Sequence, residues 1–211
     1  RSKIKLDGTN AAVQVFPDGT LVCQSREEII TPEKDNAGFA RWVSENKDYF
    51  LSIKTEEPII VFGEWCGQGI QKRCSISQID KKIFAVFAIQ YDQEFDINPE
   101  TIRKVLPEHN QVYVLGFNDE IVLNYENQEL LSAQVEEINK LIFQIEDCDP
   151  WVKSVFGIEG LGEGLVYYPI AECRIVDEKI LVDRSFYEDF VFKAKGEKHA
   201  VVKTKAPVQI D

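Results

Sequence analysis

The chain has 211 residues, 44% of them hydrophobic and 28% charged, which excludes a disordered or fibrous protein and allows one large domain or two small ones. Its formal net charge is −12, from 24 basic and 36 acidic residues. That disfavours a protein that coats nucleic acid by bulk attraction but leaves room for a local basic site. The longest unbroken apolar run, Ile83 to Ile89, falls far short of the roughly 20 residues needed to cross a bilayer.

In chain order, residues 11–16 and 20–24 flank Pro17-Asp18-Gly19 and predict a hairpin. Residues 38–51 carry Phe39, Trp42, Val43 and Tyr49 or Phe50 at near-helical spacing and predict one helix. Residues 58–65 and 82–90 are β-branched and aromatic runs that predict buried strands. Pro99 can open a short helix that stops before Pro107, and 111–117 returns to strand. From Glu126 to Ile145, the residues Leu130, Leu131, Val135, Ile138, Leu141, Ile142 and Ile145 repeat at helical spacing on one expected face. Asp149-Pro150 then reads as an N-cap followed by proline at the first helical position. Residues 162–170, 173–183, 190–195 and 199–204 read as short strands. The mixture predicts an α+β fold, antiparallel sheets around one continuous core, because the regular βαβ alternation of a doubly wound sheet is missing.

Five scattered cysteines without a Cys-x-x-Cys pair, and only two histidines, argue against structural zinc. They predict reduced thiols in an intracellular setting, cytoplasmic or nuclear. His109 reads as a surface residue, and His199 as a minor candidate for a position near phosphate. There is no methionine, so the chain is expected to be a processed product or an excised domain. The Gly-x-x-x-x-Gly-Lys-Ser/Thr phosphate loop is missing, and the glycines from Gly157 to Gly164 lack dinucleotide-binding spacing.

Five segments carry chemistry. Lys5-Leu6-Asp7-Gly8 sets an amine and a carboxylate on one side of an extended strand, before a glycine that permits a turn. Phe62-Gly63-Glu64 ends a buried strand on a carboxylate. Phe84 and Phe87 lie at an odd offset, so they are expected on opposite faces. Glu163-Gly164-Leu165-Val166 sets a carboxylate beside a glycine at a strand start. Lys193 and Lys195 share a face by period two. Each has an ordinary reading alone: turn carboxylates, core aromatics, and lysines on a solvated edge.

Taken in order, these segments resemble the signature of the covalent nucleotidyltransferases, the ATP-dependent polynucleotide ligases and messenger-RNA capping enzymes. The resemblance runs from residue 3 to about residue 203. Asn10 stands where DNA ligases and capping enzymes usually have arginine. The run Val61 to Lys72 is very similar to bacteriophage RNA ligases of the nick-sealing, RNA ligase 2 type. Asp149 to Lys153, with Gly162 to Tyr167, looks closer to cellular RNA ligases. The resemblance implies a single nucleotidyltransferase domain over 1–211, ATP-grasp-like, with antiparallel sheets flanked by helices and a central nucleotide cleft. It also implies a catalytic core without flanking modules, expected to adenylylate itself but to join ends poorly.

The implied chemistry starts with Lys5, whose amine would attack the α-phosphorus of ATP to give lysyl-AMP. AMP would pass to an RNA 5′-phosphate, and a 3′-hydroxyl would displace it. Neighbouring positive charge from a metal, Lys193 and Lys195 would favour the uncharged nucleophile. Asp7, Glu64 and Glu163 would hold hydrated Mg²⁺ or Mn²⁺ through its water. Phe87 matches the position that stacks on adenine, and Glu64 also matches the carboxylate that meets the ribose hydroxyls. Asn10 and Arg26 match polar residues near the phosphate and the nick. Backbone groups of Lys3 and Ile4 would read the adenine edge. Tyr168 departs from the phage pattern, which has a lysine there. The implied partners are ATP and RNA ends or nicked RNA duplex, with no membrane. The alternatives are a DNA ligase or GTP-using capping enzyme, and a ligase fold kept as a non-catalytic nucleotide or RNA-end binding domain.

Overall fold

The computed structural model describes residues 1–196. Its strands begin with β1 (Ser2–Lys5), β2 (Gly8–Val15), β3 (Leu21–Gln24) and β4 (Ile29–Ile30), followed by helices α1 (Phe39–Glu45) and α2 (Lys47–Leu51). Next come β5 (Ile59–Gly67), β6 (Lys82–Tyr91), β7 (Glu94–Asp96), α3 (Pro99–Val105) and β8 (Val112–Val114). The last part holds α4 (Gln128–Asp147), α5 (Pro150–Phe156), β9 (Gly164–Tyr167), β10 (Arg174–Val176), β11 (Lys179–Asp183), α6 (Arg184–Phe190) and β12 (Phe192–Lys195). The expected strand 199–204 and His199 lie outside the described residues.

Two sheets result. The larger is ordered β10-β11-β7-β6-β5-β2-β3-β4, with β8 beside β6, and the smaller is β1-β9-β12. All pairings are antiparallel except β6 with β8, which run parallel. The predicted hairpin is β2–β3. Gly19 takes φ +87° in its turn, which glycine adopts freely.

Capping explains several element starts. Asp149 accepts from the backbone N–H groups of Trp151 and Val152 at 2.9 and 3.0 Å, and Pro150 fills the first helical position. Asn98 and Asn127 cap α3 and α4 in the same way.

Several expectations need correction. The single helix over 38–51 is two helices, because Asn46 leaves helical geometry and its side-chain amide donates to the Trp42 carbonyl at 2.8 Å. An asparagine side chain competes with the helix for that backbone group. The strand over 111–117 shortens to β8, and that over 162–170 shortens to β9. Helix α6, between two predicted strands, carries no fully buried residue; Phe186 and Tyr187 pack only partly against the core. In α4 only Ile138, Ile142 and Ile145 of the predicted face are buried, while Leu130 and Val135 are exposed. Its C-terminal half alone meets the smaller sheet.

The single core is instead three clusters. One lies between the larger sheet and α1–α3, around Trp65, Phe84, Phe39 and Trp42. A second joins Ile4, Leu6 and Leu165 to Ile138, Ile142 and Ile145 of α4. A third gathers Ala88, Phe95, Ile97, Tyr168 and Val182. Burial of these side chains at about 25 cal/mol per Å² is the main force holding the sheets to the helices. Among the described residues, no helix is long and apolar enough to cross a membrane.

Candidate active site

Lys5 is the last residue of β1 and pairs with Gly164 of β9, which pairs on its other side with Lys195 of β12. Two lysines therefore flank one glycine. Gly164 has φ +147°, and a Cβ there would stand 2.0 Å from the Ala194 carbonyl oxygen, so the two strands close this tightly only around glycine. Glu163, one residue earlier, is caught between the lysines. Its Oε2 lies 2.9 Å from Lys5 Nζ and its Oε1 3.4 Å from Lys195 Nζ. The glutamate side chain is only 5% exposed, so this buried carboxylate depends on both ammonium groups.

Lys193 points to the same face of β12. Burial around its amine holds it below the ordinary lysine range, and the charges of Lys5, Arg26 and Lys195 act in the same sense, against the pull of Glu64. By surface area Lys193 is an exposed residue. Arg26 follows β3 and enters the cluster only through this field.

The larger sheet supplies the other half. Glu64 in β5 stands opposite Asn10 of β2 and Ala85 of β6. Alternation along β5 turns Val61 and Trp65 into the first core and Glu64 to the other side. Burial pushes the Glu64 carboxyl up to about 7; Lys5 and Lys193 oppose this, and Glu163 and Asp7 add to it. Asp7 is buried just past β1. The Arg73 guanidinium meets it with Nη2 2.9 Å from Oδ1 and Nε 3.4 Å from Oδ2. Arg73 was not among the residues the sequence singled out. Its one visible cue is a cation directly after the Gly67–Gly69 turn.

Phe87 owes its direction to a β-bulge. Phe62 pairs with Ala88 and Gly63 with Val86, which leaves Phe87 as the extra residue. Val86 and Ile89 consequently both face the first cluster, while Phe87 and Ala88 both turn toward the third. Phe84 and Phe87 do face opposite sides, as their offset predicts, because the bulge comes after Val86. The Phe87 ring is half-buried, with the Tyr168 ring 6.3 Å away. Tyr168 is 4% exposed and brings no cation to the site.

Strand β1 also separates the two residues expected to read a base through their backbone. Arg1 and Tyr168 exchange both backbone hydrogen bonds, at 3.1 and 2.8 Å. Antiparallel alternation then turns the Lys3 backbone into β9 and the Ile4 backbone to the opposite edge. Lys3 is thus not placed to read a base edge with its main chain. Its side chain shares the face of Lys5.

The structure brings Lys5, Asp7, Asn10, Arg26, Glu64, Glu163, Lys193 and Lys195 to one region, with Phe87 and Tyr168 beside it. A hollow of about 490 Å³ along the outer surface of α4, near Glu136, Lys140 and Phe143, lies apart from this cluster. Carboxylate oxygens suit Mg²⁺ or Mn²⁺, and added positive charge would favour the charged form of the half-buried Glu64. Among the described residues, no three His, Cys, Asp or Glu are grouped to ligate one ion directly. An ion held through its own water fits this donor set.

A profile of the RNA ligase family matches residues 3–195. Among solved structures, a mutant of Naegleria gruberi RNA ligase with ATP and Mn is 20% identical, with a TM-score of 0.54 over 94% of this chain and 50% of that chain. A second mutant of that ligase, also with ATP and Mn, is 19% identical with a TM-score of 0.48, covering 94% of this chain and 49% of that one. A structure described as Pmar-Lig_PreS3 is 13% identical, with a TM-score of 0.49, covering 92% and 41%. The chain spans about half the length of the Naegleria ligase it matches. A search of curated proteins finds no match. The architecture is the antiparallel, helix-flanked nucleotidyltransferase-like fold of RNA ligases.

Proposed function

The chain belongs to the RNA ligase family, and from that premise we propose that it is an ATP-dependent nucleotidyltransferase domain that charges Lys5 with AMP and passes the nucleotide to an RNA end. The observation that carries this reading is the convergence of Lys5, Glu163 and Lys195 on one glycine, with Glu64 and Lys193 within electrostatic reach.

Lys5 is the nucleophile. Its amine forms a bond to the α-phosphorus of ATP, the bond to the bridging oxygen breaks, and pyrophosphate leaves with that electron pair. In the free protein the amine is engaged by Glu163, so attack requires that contact to loosen and a proton to leave Nζ. Lys193 and Lys195 would meet the phosphate oxygens, and their charge would offset what develops on the phosphates. Glu64 and Asn10, opposite each other in adjacent strands, would take the ribose and nearby phosphate. Phe87 offers a ring face for adenine, and Ile4 a backbone edge to read it. Arg26 would meet the nucleic acid end. Asp7, Glu64 and Glu163 would hold a hydrated Mg²⁺ or Mn²⁺, which when bound supplies further positive charge at the α-phosphate.

Two transfers complete the reaction. An RNA 5′-phosphate oxygen displaces Lys5 from AMP, leaving a 5′–5′ pyrophosphate linkage. A 3′-hydroxyl then attacks the RNA phosphate, and AMP departs.

Incubation with α-labelled ATP or GTP and Mg²⁺ or Mn²⁺ tests the first step. The reading expects label from ATP on the wild type and none on Lys5→Ala. Label from GTP alone would favour a capping enzyme. No label with either nucleotide and either metal would favour a binding domain without catalysis. Presenting the charged protein with nicks bearing RNA or DNA 3′ ends separates an RNA ligase from a DNA ligase.

A further inference from the structure

Lys3 is a lysine with no exposed surface, and its side chain has no part in the chemistry described above. A buried cation without a paired carboxylate is costly, so its surroundings need an account. Nζ lies 5.1 Å from the centre of the Phe117 ring and 5.5 Å from that of Tyr168, within cation–π range of both. Its hydrogen bond goes to the Phe87 backbone carbonyl, at 2.8 Å.

That carbonyl belongs to the extra residue of the β5–β6 bulge. It also falls in a gap of the ladder on the other side of β6. Strand β8 pairs with Phe84 to Val86, and β7 takes over at Ile89. A bulge leaves its extra residue without a regular partner, and a buried carbonyl left unpaired costs free energy comparable to a lost hydrogen bond. Lys3 reaches across 84 positions of sequence to supply the donor. Ammonium and neutral amine both carry N–H groups, so the bond survives either protonation state.

We infer that Lys3 is a positioning residue for the base site: by holding the Phe87 carbonyl it fixes the bulge that aims the Phe87 ring, and ties that ring to the strand that ends in Lys5. This rests on the reading that Phe87 meets the adenine of ATP. Lys3 touches no reacting atom, and its effect passes through Phe87.

The test is a double-mutant cycle on autoadenylylation of the full chain, with Lys3→Met, Phe87→Ala and the double variant, reading KM for ATP and kcat separately. Lys3→Met is expected to raise KM for ATP about tenfold, as loss of one buried hydrogen bond would, and to leave kcat within about twofold. In the Phe87→Ala background it should add little, because the ring it positions is gone. An unchanged KM, or a full extra effect on top of Phe87→Ala, overturns the inference while leaving the ligase reading intact. Wild type that takes no label overturns both. If Lys3→Met does not fold, Lys3→Gln replaces it in the same cycle with the same expected split. Failure of both variants to fold also overturns the inference, since Lys3 would then serve the whole molecule and not the base site.

Discussion

Charge at the single-residue scale is distributed so that no carboxylate of the site stands far from a cation. Glu163 has Lys5 and Lys195, Asp7 has Arg73, and Glu64 has Lys5 and Lys193 at longer range. Arg73→Gln leaves the buried Asp7 carboxylate without its fork. Because the arginine is half exposed, the expected loss is roughly 1–2 kcal/mol, read as a lower urea midpoint. Lys3 gives a pH signature. Burial holds its amine down at about 7, with Asp96 pulling up and Arg103 pushing down. Below about pH 7 the group is protonated in both states, and the cost of burying it is full. Between about pH 7 and 10 the unfolded chain binds the extra proton, so stability rises with pH. The difference in unfolding free energy between wild type and Lys3→Met should therefore climb across that range, and a flat difference would contradict the buried-cation account. Lys5, Glu64, Glu163 and the two late lysines were legible because each sits in a short motif. Arg73 and the Lys3 side chain were not, because their partners lie 66 and 84 positions away and nothing local marks them.

Elements were legible where local chemistry decides them. The Pro17-Asp18-Gly19 turn, the Asp149-Pro150 cap and the alternation along β5 are written within a few residues of where they act. The break at Asn46, the bulge at Phe87 and the exposed first half of α4 follow from what each segment packs against, which periodicity does not contain. Three substitutions test this level. Gly164→Ala is expected to push β12 from β9, since a Cβ would meet the Ala194 carbonyl oxygen at 2.0 Å. It should cost at least about 2 kcal/mol in unfolding free energy and abolish nucleotide transfer by separating Lys195 from Lys5 and Glu163. Ile142→Ala, in the half of α4 that packs on the smaller sheet, should cost roughly 2–5 kcal/mol. Val135→Ala, on the exposed half, should cost well under 1 kcal/mol. Similar losses at both positions would show that the whole face of α4 is buried.

Across the whole molecule, the fold brings the ends of β1, β9 and β12 against the β2–β5–β6 portion of the larger sheet. Charges gathered in this way from widely separated segments explain how a chain of net charge −12 can hold five cations, Lys5, Arg26, Arg73, Lys193 and Lys195, around three carboxylates. The acidic remainder lies elsewhere, so attraction to a polyanion is expected to be local and steeply weakened by salt. One bond, between Lys5 and phosphorus, decides the chemistry. Peptide mass spectrometry of the protein after exposure to ATP and Mn²⁺ tests it most directly. The account predicts an adenylyl group on Lys5, lost in Lys5→Ala and sharply reduced in Glu163→Ala. A protein that stays unmodified, or that carries the group on another residue, would contradict it.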